Sequence, residues 1–207
     1  MDTRLPSPST SGEVSVEAAI ADRRSCRSFA ADRPVSLSQL SQILWAAQGI
    51  TDDDGRRAAP SAGALHQLHV LVAVGAVGGV EQGLHRYRPG AHSLALVAEG
   101  DHRPVLERCA LDDQPWVGRA ALVLVVVAEM HAIVEHFRDQ SPPGERGRRY
   151  AQLETGAVAE NVHLQAAALG LGCVVVAGFD DGALSSALRL RAGQEPTTML
   201  ALGPSAG

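Results

Sequence analysis

The stretch YAQLETGAVAENVHLQAAALGLGCVVVAGFDD, residues 150–181, decides the fold class. Its alanine-rich first part, Tyr150–Leu169, predicts a long helix, and Gly170-Leu171-Gly172 predicts where that helix ends. The apolar run Cys173–Val176 predicts a buried strand. Gly178 and Asp180 then break the pattern, which indicates a turn into another helix with Asp180 or Asp181 as the N-cap.

Further strands and helices are predicted on the N-terminal and C-terminal sides of this stretch. The apolar run Ala120–Ala128 predicts another buried strand and is too short to cross a bilayer. The other predicted strands are Leu68–Val74, Gly83–Tyr87, Ser93–Val97 and Thr198–Leu202. The other helices are predicted at about 15–22, 37–47, 103–112, 129–137 and 183–190. This order indicates an α+β fold with a mainly antiparallel central sheet surrounded by helices.

Length and composition limit the classes of protein to which the chain can belong. The 207 residues suit one domain, predicted at 14–207, after a flexible N-terminal tail at 1–13 that is rich in Pro, Ser and Thr. The formal net charge of -5 argues against nucleic acid or an anionic membrane as a partner. Three cysteines without a CxxC pair argue against a disulfide framework or a zinc site and favour the cytoplasm.

A first cluster of candidate binding residues is Arg23-Arg24-Ser25-Cys26-Arg27-Ser28-Phe29, directly after the first predicted helix. Forked guanidinium donors match the oxygens of a phosphate group, and the serine hydroxyls add donors. The alternative is a solvated basic turn, which the spacing alone favours because runs of charge are usually exposed.

Two loops that contain small residues are weaker candidates. In Ala59–His66, proline fixes the backbone and the small residues let a planar ligand approach main-chain groups, although an ordinary loop explains the same pattern. After the strand at 173–176, Gly178 can expose its amide to a ligand. A plain strand-to-helix turn there is compatible with that function.

The order and separation of these three segments resemble the nitroreductase family of FMN enzymes over nearly the whole chain after about Val14. Within that family the chain resembles the SagB-type dehydrogenase branch, which includes oxidases that turn peptide azolines into thiazoles and oxazoles. The segments that carry the second resemblance are Gly83-Leu84-His85-Arg86-Tyr87-Arg88-Pro89, Arg146–Gly156, Ala159–Gly172 and Ala177-Gly178-Phe179-Asp180.

The resemblance implies an intertwined homodimer with FMN in two sites at the subunit interface. It implies that the phosphate, ribityl chain or pyrimidine edge is contacted by Arg23, Ser25 and Arg27, with Arg24 as a further candidate. It implies that the other subunit offers Pro60, Ser61 and Gly63 to the flavin. Ala177 and Gly178 would lie at the ring, with the Gly178 amide near flavin N5, where hydride arrives and leaves.

Two departures from the family pattern bear on function. The chain contains no lysine, so the Lys-Tyr pair that azoline oxidases carry before their Gly-x-Arg stretch is absent; Pro142-Pro143-Gly144-Glu145-Arg146 stands there. The C-terminal segment Gly203–Gly207 offers no basic phosphate ligand, so the early arginines would carry more of that contact.

Two functional hypotheses follow from the resemblance. In the first, the protein is an FMN-dependent oxidoreductase that acts on a small organic substrate. It either uses NAD(P)H to reduce nitroaromatics or quinones, or dehydrogenates a peptide-like or natural-product intermediate. The alternative is a partner-dependent or non-catalytic flavin- or ligand-binding module on the same fold. No metal site is expected in either case.

Overall fold

The computed structural model describes residues 2–30 and 33–206, and in it helices pack on both faces of one sheet. In these ranges the strands are β1 (Asp2–Arg4), β2 (Leu68–Val74), β3 (Gly83–Arg88), β4 (Ser93–Glu99), β5 (Leu122–Ala128), β6 (Gly172–Val176) and β7 (Glu195–Gly203). The helices are α1 (Val16–Asp22), α2 (Leu37–Gln48), α3 (Arg103–Cys109), α4 (Trp116–Arg119), α5 (Met130–His136), α6 (Arg146–Ala168) and α7 (Asp181–Ala187).

The strands form one sheet in the order β1-β4-β3-β2-β5-β7-β6, and every neighbouring pair is antiparallel. The predicted α+β class with a mainly antiparallel sheet is therefore confirmed. No helix in the described ranges has the length and apolar character that a bilayer crossing requires.

The sheet separates two hydrophobic cores, and β5 contributes to both. Leu122, Leu124 and Val126 face the core that α2 and α6 cover, whereas Val123 and Val125 face the core under α3, α4 and α7. Because successive side chains of a strand point to opposite faces, a strand covered on both sides needs an unbroken apolar run. This explains why 120–128 lacks polar residues.

Helix ends follow the local signals in the sequence. The Ser36 hydroxyl accepts from the Gln39 amide at 3.1 Å, and the Gln39 side chain accepts from the Ser36 amide at 3.0 Å, which completes the predicted capping box of α2. Gly49 is the C-cap of α2, as predicted. Asp180 is the N-cap of α7 and accepts from the Ala183 amide at 2.8 Å.

The N-terminal segment differs from its prediction. Composition indicated a flexible tail over 1–13, but Asp2–Arg4 pairs with Ser93–Ala95 of β4, and Leu5 is buried in the core under α2. Arg88 of β3 also donates to Asp2 at 2.8 Å. A single apolar residue and an open sheet edge thus fix a segment whose composition alone indicates disorder. Met1 lies outside the described residues, and mobility of 6–13 stays a prediction.

Candidate functional site

The arginine-rich segment lies against the start of β6, which is an edge strand of the sheet. Ser25 pairs with Cys173 in parallel orientation, and the Cys26 amide donates to the Cys173 carbonyl at 2.9 Å. Nε2 of His163, in α6, donates to the same carbonyl at 2.9 Å. Phe29 is buried, so an apolar anchor and strand-like pairing hold the segment that carries the charges.

The guanidiniums of this segment form no ion pair with an acidic side chain among the described residues. None of Arg23, Arg24 and Arg27 forms an ion pair with a carboxylate in the part of the chain that the structure describes. Arg23 is half-buried, and Arg24 and Arg27 are exposed. Three neighbouring cations without a carboxylate partner in the described residues, in a chain of net charge -5, are a favourable environment for an anion.

The segment does not present all of its arginines in the same direction. Arg24 lines a cavity of about 250 Å³ together with Cys26, His163 and Ser205, and its NH1 donates to the Ala21 carbonyl at 2.7 Å. Arg27 does not line that cavity; its Cζ lies 5.5 Å from the centroid of the Trp116 ring. Alternation along an extended chain explains the division. Arg24 therefore also has a structural role at the end of α1.

The turn after β6 exposes Ala177 and Gly178. The Gly178 carbonyl accepts from the Leu111 amide at 2.9 Å, while the Gly178 amide donates to no group in the described residues. A Cβ on Gly178 would approach nothing closer than Nε2 of Gln114, at 3.8 Å. Five residue steps separate Gly178 from Cys173, which is about 16 Å along a strand. The arginines and the exposed amide thus lie at opposite ends of β6.

The loop before β2 has an unusual backbone. Ser61 begins a short 3-10 turn, and its hydroxyl accepts from the His66 amide at 2.9 Å. Gly63 has φ +60°, and Ala64 and His66 also have positive φ, of 53° and 52°. Pro60 and Gly63 are exposed, so the loop offers its surface to a ligand or a partner.

The loop that begins at Ser61 and the arginine segment are held at different turns of α6. The loop is held at Glu154 of α6, because the Glu154 carboxylate accepts from the Ala62 amide at 2.6 Å. The arginine segment is held near His163 of the same helix. Nine residues of helix separate these positions, which is about 13 Å. The structure therefore places the arginine segment and Gly178 at the two ends of β6, and it holds the loop that begins at Ser61 at a different turn of α6 from the arginine segment.

Glu154 is a residue of this region to which the sequence assigned no role. It is only 8% exposed, and burial raises the pKa of its carboxyl group, although hydrogen bonds from Ala62 and Ser61 oppose that effect. Its contact with Ala62 joins residues 92 positions apart, so no local pattern reveals it. A glutamate inside an amphipathic helix, on the side of Ala151 and Val158, was the available signal.

Other features of the structure bear less on the predicted site. A larger cavity, of about 800 Å³, lies between residues 6–19, α2 and α6, and none of the predicted cofactor residues lines it. Nε2 of His69 lies 3.1 Å from a Glu129 oxygen, so this histidine has a partner in the protein. In the described ranges, no three His, Cys, Asp or Glu side chains are grouped as metal ligands.

Known proteins resemble this chain over most of its length. Residues 20–204 match the nitroreductase family. A nitroreductase-type protein of Methanocaldococcus jannaschii is 35% identical over 191 residues, which cover 92% of this chain and 91% of the relative. A crystal structure of a nitroreductase-type protein from Ralstonia eutropha has a TM-score of 0.82 at 32% identity and covers 100% of this chain and 90% of that chain.

A more distant structure shares the fold alone. The NADPH:FMN oxidoreductase of Vibrio harveyi, complexed with NAD+, has a TM-score of 0.66 at 20% identity. The match covers 93% of this chain and 69% of that chain.

Proposed function

The chain belongs to the nitroreductase family, and on that premise we propose that it is an FMN-dependent oxidoreductase that acts on a small organic substrate. When bound, FMN supplies reversible hydride exchange at N5. The NADPH:FMN oxidoreductase that shares this fold supports FMN as the cofactor and NAD(P)H as a donor. The chain itself contributes charge, orientation and an exposed backbone amide.

The observation that carries the proposal is the group of arginines at the start of β6 whose guanidiniums form no ion pair within the described part of the chain. A phosphate monoester needs several forked donors, and Arg23 and Arg27 have no carboxylate partner in the described residues. Ser25 is an exposed residue of the same segment. We assign the phosphate, ribityl and pyrimidine contacts to these three residues, with Arg24 as an additional cation.

The Gly178 turn suits the ring end of the cofactor. Its amide donates to no described group and its surroundings are open, so a flat ligand can approach the N–H without meeting a side chain. We assign the contact with flavin N5 to this amide. Ala177 precedes it and is exposed, so we place Ala177 at the edge of the same ring.

We further propose that two copies of the chain form an intertwined homodimer and that the second copy supplies Pro60, Ser61 and Gly63. Pro60 and Gly63 are exposed, and the loop that carries them is attached to α6 through Glu154. Apolar side chains are exposed on two helices that pack together, with Val16 66% and Ile20 57% exposed on α1 and Leu153 67% exposed on α6. A partner subunit would cover them.

The substrate is proposed only as a class. Reduction of nitroaromatics or quinones with NAD(P)H is one direction, and dehydrogenation of a peptide-like intermediate in the manner of the SagB-type branch is the other. Because the chain has no lysine, the second direction requires a proton acceptor other than the Lys-Tyr pair. Three free cysteines support a reducing compartment such as the cytoplasm.

A visible absorption spectrum of the purified protein tests the cofactor, and anaerobic titration with NADH and then NADPH tests the donor. We expect a yellow protein with a flavin spectrum that bleaches on addition of one nicotinamide. Bleaching only by a cyclic or peptide-like substrate would select the dehydrogenase direction. A colourless protein that takes up no added FMN would overturn the proposal and favour a ligand-binding module.

A further inference from the structure

The Glu154 carboxylate lies where α6 passes beneath the loop that begins at Ser61. Its Oε1 accepts from the Ala62 amide at 2.6 Å, a short distance that indicates a charge-assisted hydrogen bond. The Ser61 hydroxyl also interacts with the carboxylate and favours its ionised form. One side chain of a long helix thus binds the backbone of the turn at Ala62.

The backbone of this turn needs contacts with the rest of the protein to keep its conformation. Ala64 and His66 have φ of 53° and 52°, a region that residues with a Cβ rarely adopt. The hydrogen bond between Ser61 and the His66 amide closes the turn internally but does not attach it to the rest of the fold. Attachment comes from Glu154 on one side, while Phe137 and His136 lie close to Gly63 on the other.

A buried carboxylate without a cation costs free energy, so its presence needs a reason. Glu154 forms no ion pair with any described residue, and it is only 8% exposed. The groups that compensate for its burial are the Ala62 amide and the Ser61 hydroxyl. The interaction that justifies a carboxylate at this position is therefore its contact with the turn.

We propose that Glu154 is a positioning residue that holds the turn at Ser61, Ala62 and Gly63 in the shape in which it contacts the flavin of the other subunit. The proposal rests on the proposed function for the identity of the ligand. The hold on the turn is a property of the chain itself. It exists in the cofactor-free protein, so the two can be tested separately.

Four variants test the proposal. Glu154→Gln keeps an acceptor at the same distance, whereas Glu154→Met keeps the volume and removes the acceptor. Glu154→Asp keeps the charge but withdraws it by one methylene. Thr155→Val is the matched control, because it removes the partly buried hydrogen bond between the Thr155 and Thr197 hydroxyls, at 2.9 Å, without touching the turn.

The first measurement is amide hydrogen exchange of residues 61–66 in cofactor-free protein. We expect exchange at least 10-fold faster in Glu154→Met and Glu154→Asp, and near wild-type exchange in Glu154→Gln and Thr155→Val. Wild-type protection in both the Met and the Asp variant would show that Glu154 does not restrain the turn. Should the Met variant fail to fold, the Asp and Gln pair gives the same decision.

The second measurement is FMN affinity with the visible circular dichroism of the bound flavin. We expect affinity at least 10-fold weaker and an altered dichroism band in Glu154→Met, with rescue in Glu154→Gln. Faster exchange in the turn with unchanged FMN affinity and dichroism would show that Glu154 restrains the turn but that the turn does not contact the flavin. Failure of the wild type to bind FMN would instead overturn the proposed function. The exchange data would still show whether Glu154 restrains the turn.

Discussion

At the scale of single residues, Arg27 gives the most direct prediction. Arg27→Ala should weaken FMN binding by about 2–3 kcal/mol, roughly 30- to 150-fold, because a charge-assisted contact with phosphate or pyrimidine oxygen is lost. Fluorescence titration of cofactor-free protein measures the effect. Arg56→Ala is the control, since Arg56 is exposed and pairs with Asp52. Equal affinity in the two variants would remove Arg27 from the cofactor site.

Gly178 allows a test in which fold and cofactor are separable. A Cβ there meets nothing within 3.4 Å, and Gly178 has no positive φ, so Gly178→Val should leave the melting temperature of the cofactor-free protein nearly unchanged. The branched side chain should nevertheless crowd a ring placed against the amide and reduce FMN binding. Thermal denaturation and flavin titration of the same preparation measure both. Normal flavin binding in this variant would contradict the N5 assignment.

The raised pKa of Glu154 predicts a pH dependence of stability. Burial raises this pKa, so the folded chain binds the proton more tightly than the unfolded chain. The stability that this group contributes is fully present below pH 4.5 and is lost as pH rises through the folded pKa. Denaturant unfolding of wild type and Glu154→Gln from pH 4.5 to 8 should show the wild type losing stability relative to the variant. A difference that does not vary with pH would contradict this.

At the scale of helices and strands, the elements that sequence predicts are those with local signals. The capping box of α2 joins residues three positions apart, and the β5 run needs only its own side chains to show burial on both faces. β1 escapes prediction because its three residues gain order from β4, about ninety positions away in the chain. The contact of Glu154 with Ala62 escapes for the same reason.

The α2 cap offers a quantitative test of such a local signal. Ser36→Ala should lower the free energy of unfolding by about 1 kcal/mol, because the Gln39 amide loses its acceptor at the helix start. Ser38→Ala, at an exposed position inside the same helix, should change stability far less. Urea denaturation compares the two variants with the wild type. A Ser36→Ala variant as stable as Ser38→Ala would show that tertiary packing alone fixes the start of α2.

At the scale of the whole molecule, the predicted site is divided between two places on one chain. Sequence order placed Arg23, Pro60 and Gly178 in one cofactor site, but spacing cannot reveal that α6 keeps the loop about 13 Å from the arginine segment. Pro60 and Gly63 are exposed on the outside of the chain, which is compatible with the second copy that the family resemblance implies. The family resemblance, more than any single motif, was needed to predict it.

Substitution of an exposed apolar residue tests the proposal that two subunits complete the cofactor site. Leu153→Arg places a charge on α6 where we propose that a second subunit packs, and burial of an unpaired charge there should dissociate the dimer. Val16→Arg on α1 should do the same from a different helix. Val97→Arg is the matched control, because Val97 is also exposed, at 49%, but lies on β4 toward the other edge of the sheet.

Sedimentation velocity and flavin titration read out these three variants together. We expect Leu153→Arg and Val16→Arg to sediment as monomers and to bind FMN at least 10-fold more weakly, while Val97→Arg stays dimeric and keeps its affinity. Loss of the dimer and loss of FMN affinity should occur together, because a monomer retains Arg23, Ser25 and Gly178 but lacks the partner's Pro60, Ser61 and Gly63. Monomers with full affinity would show that one chain completes the site alone.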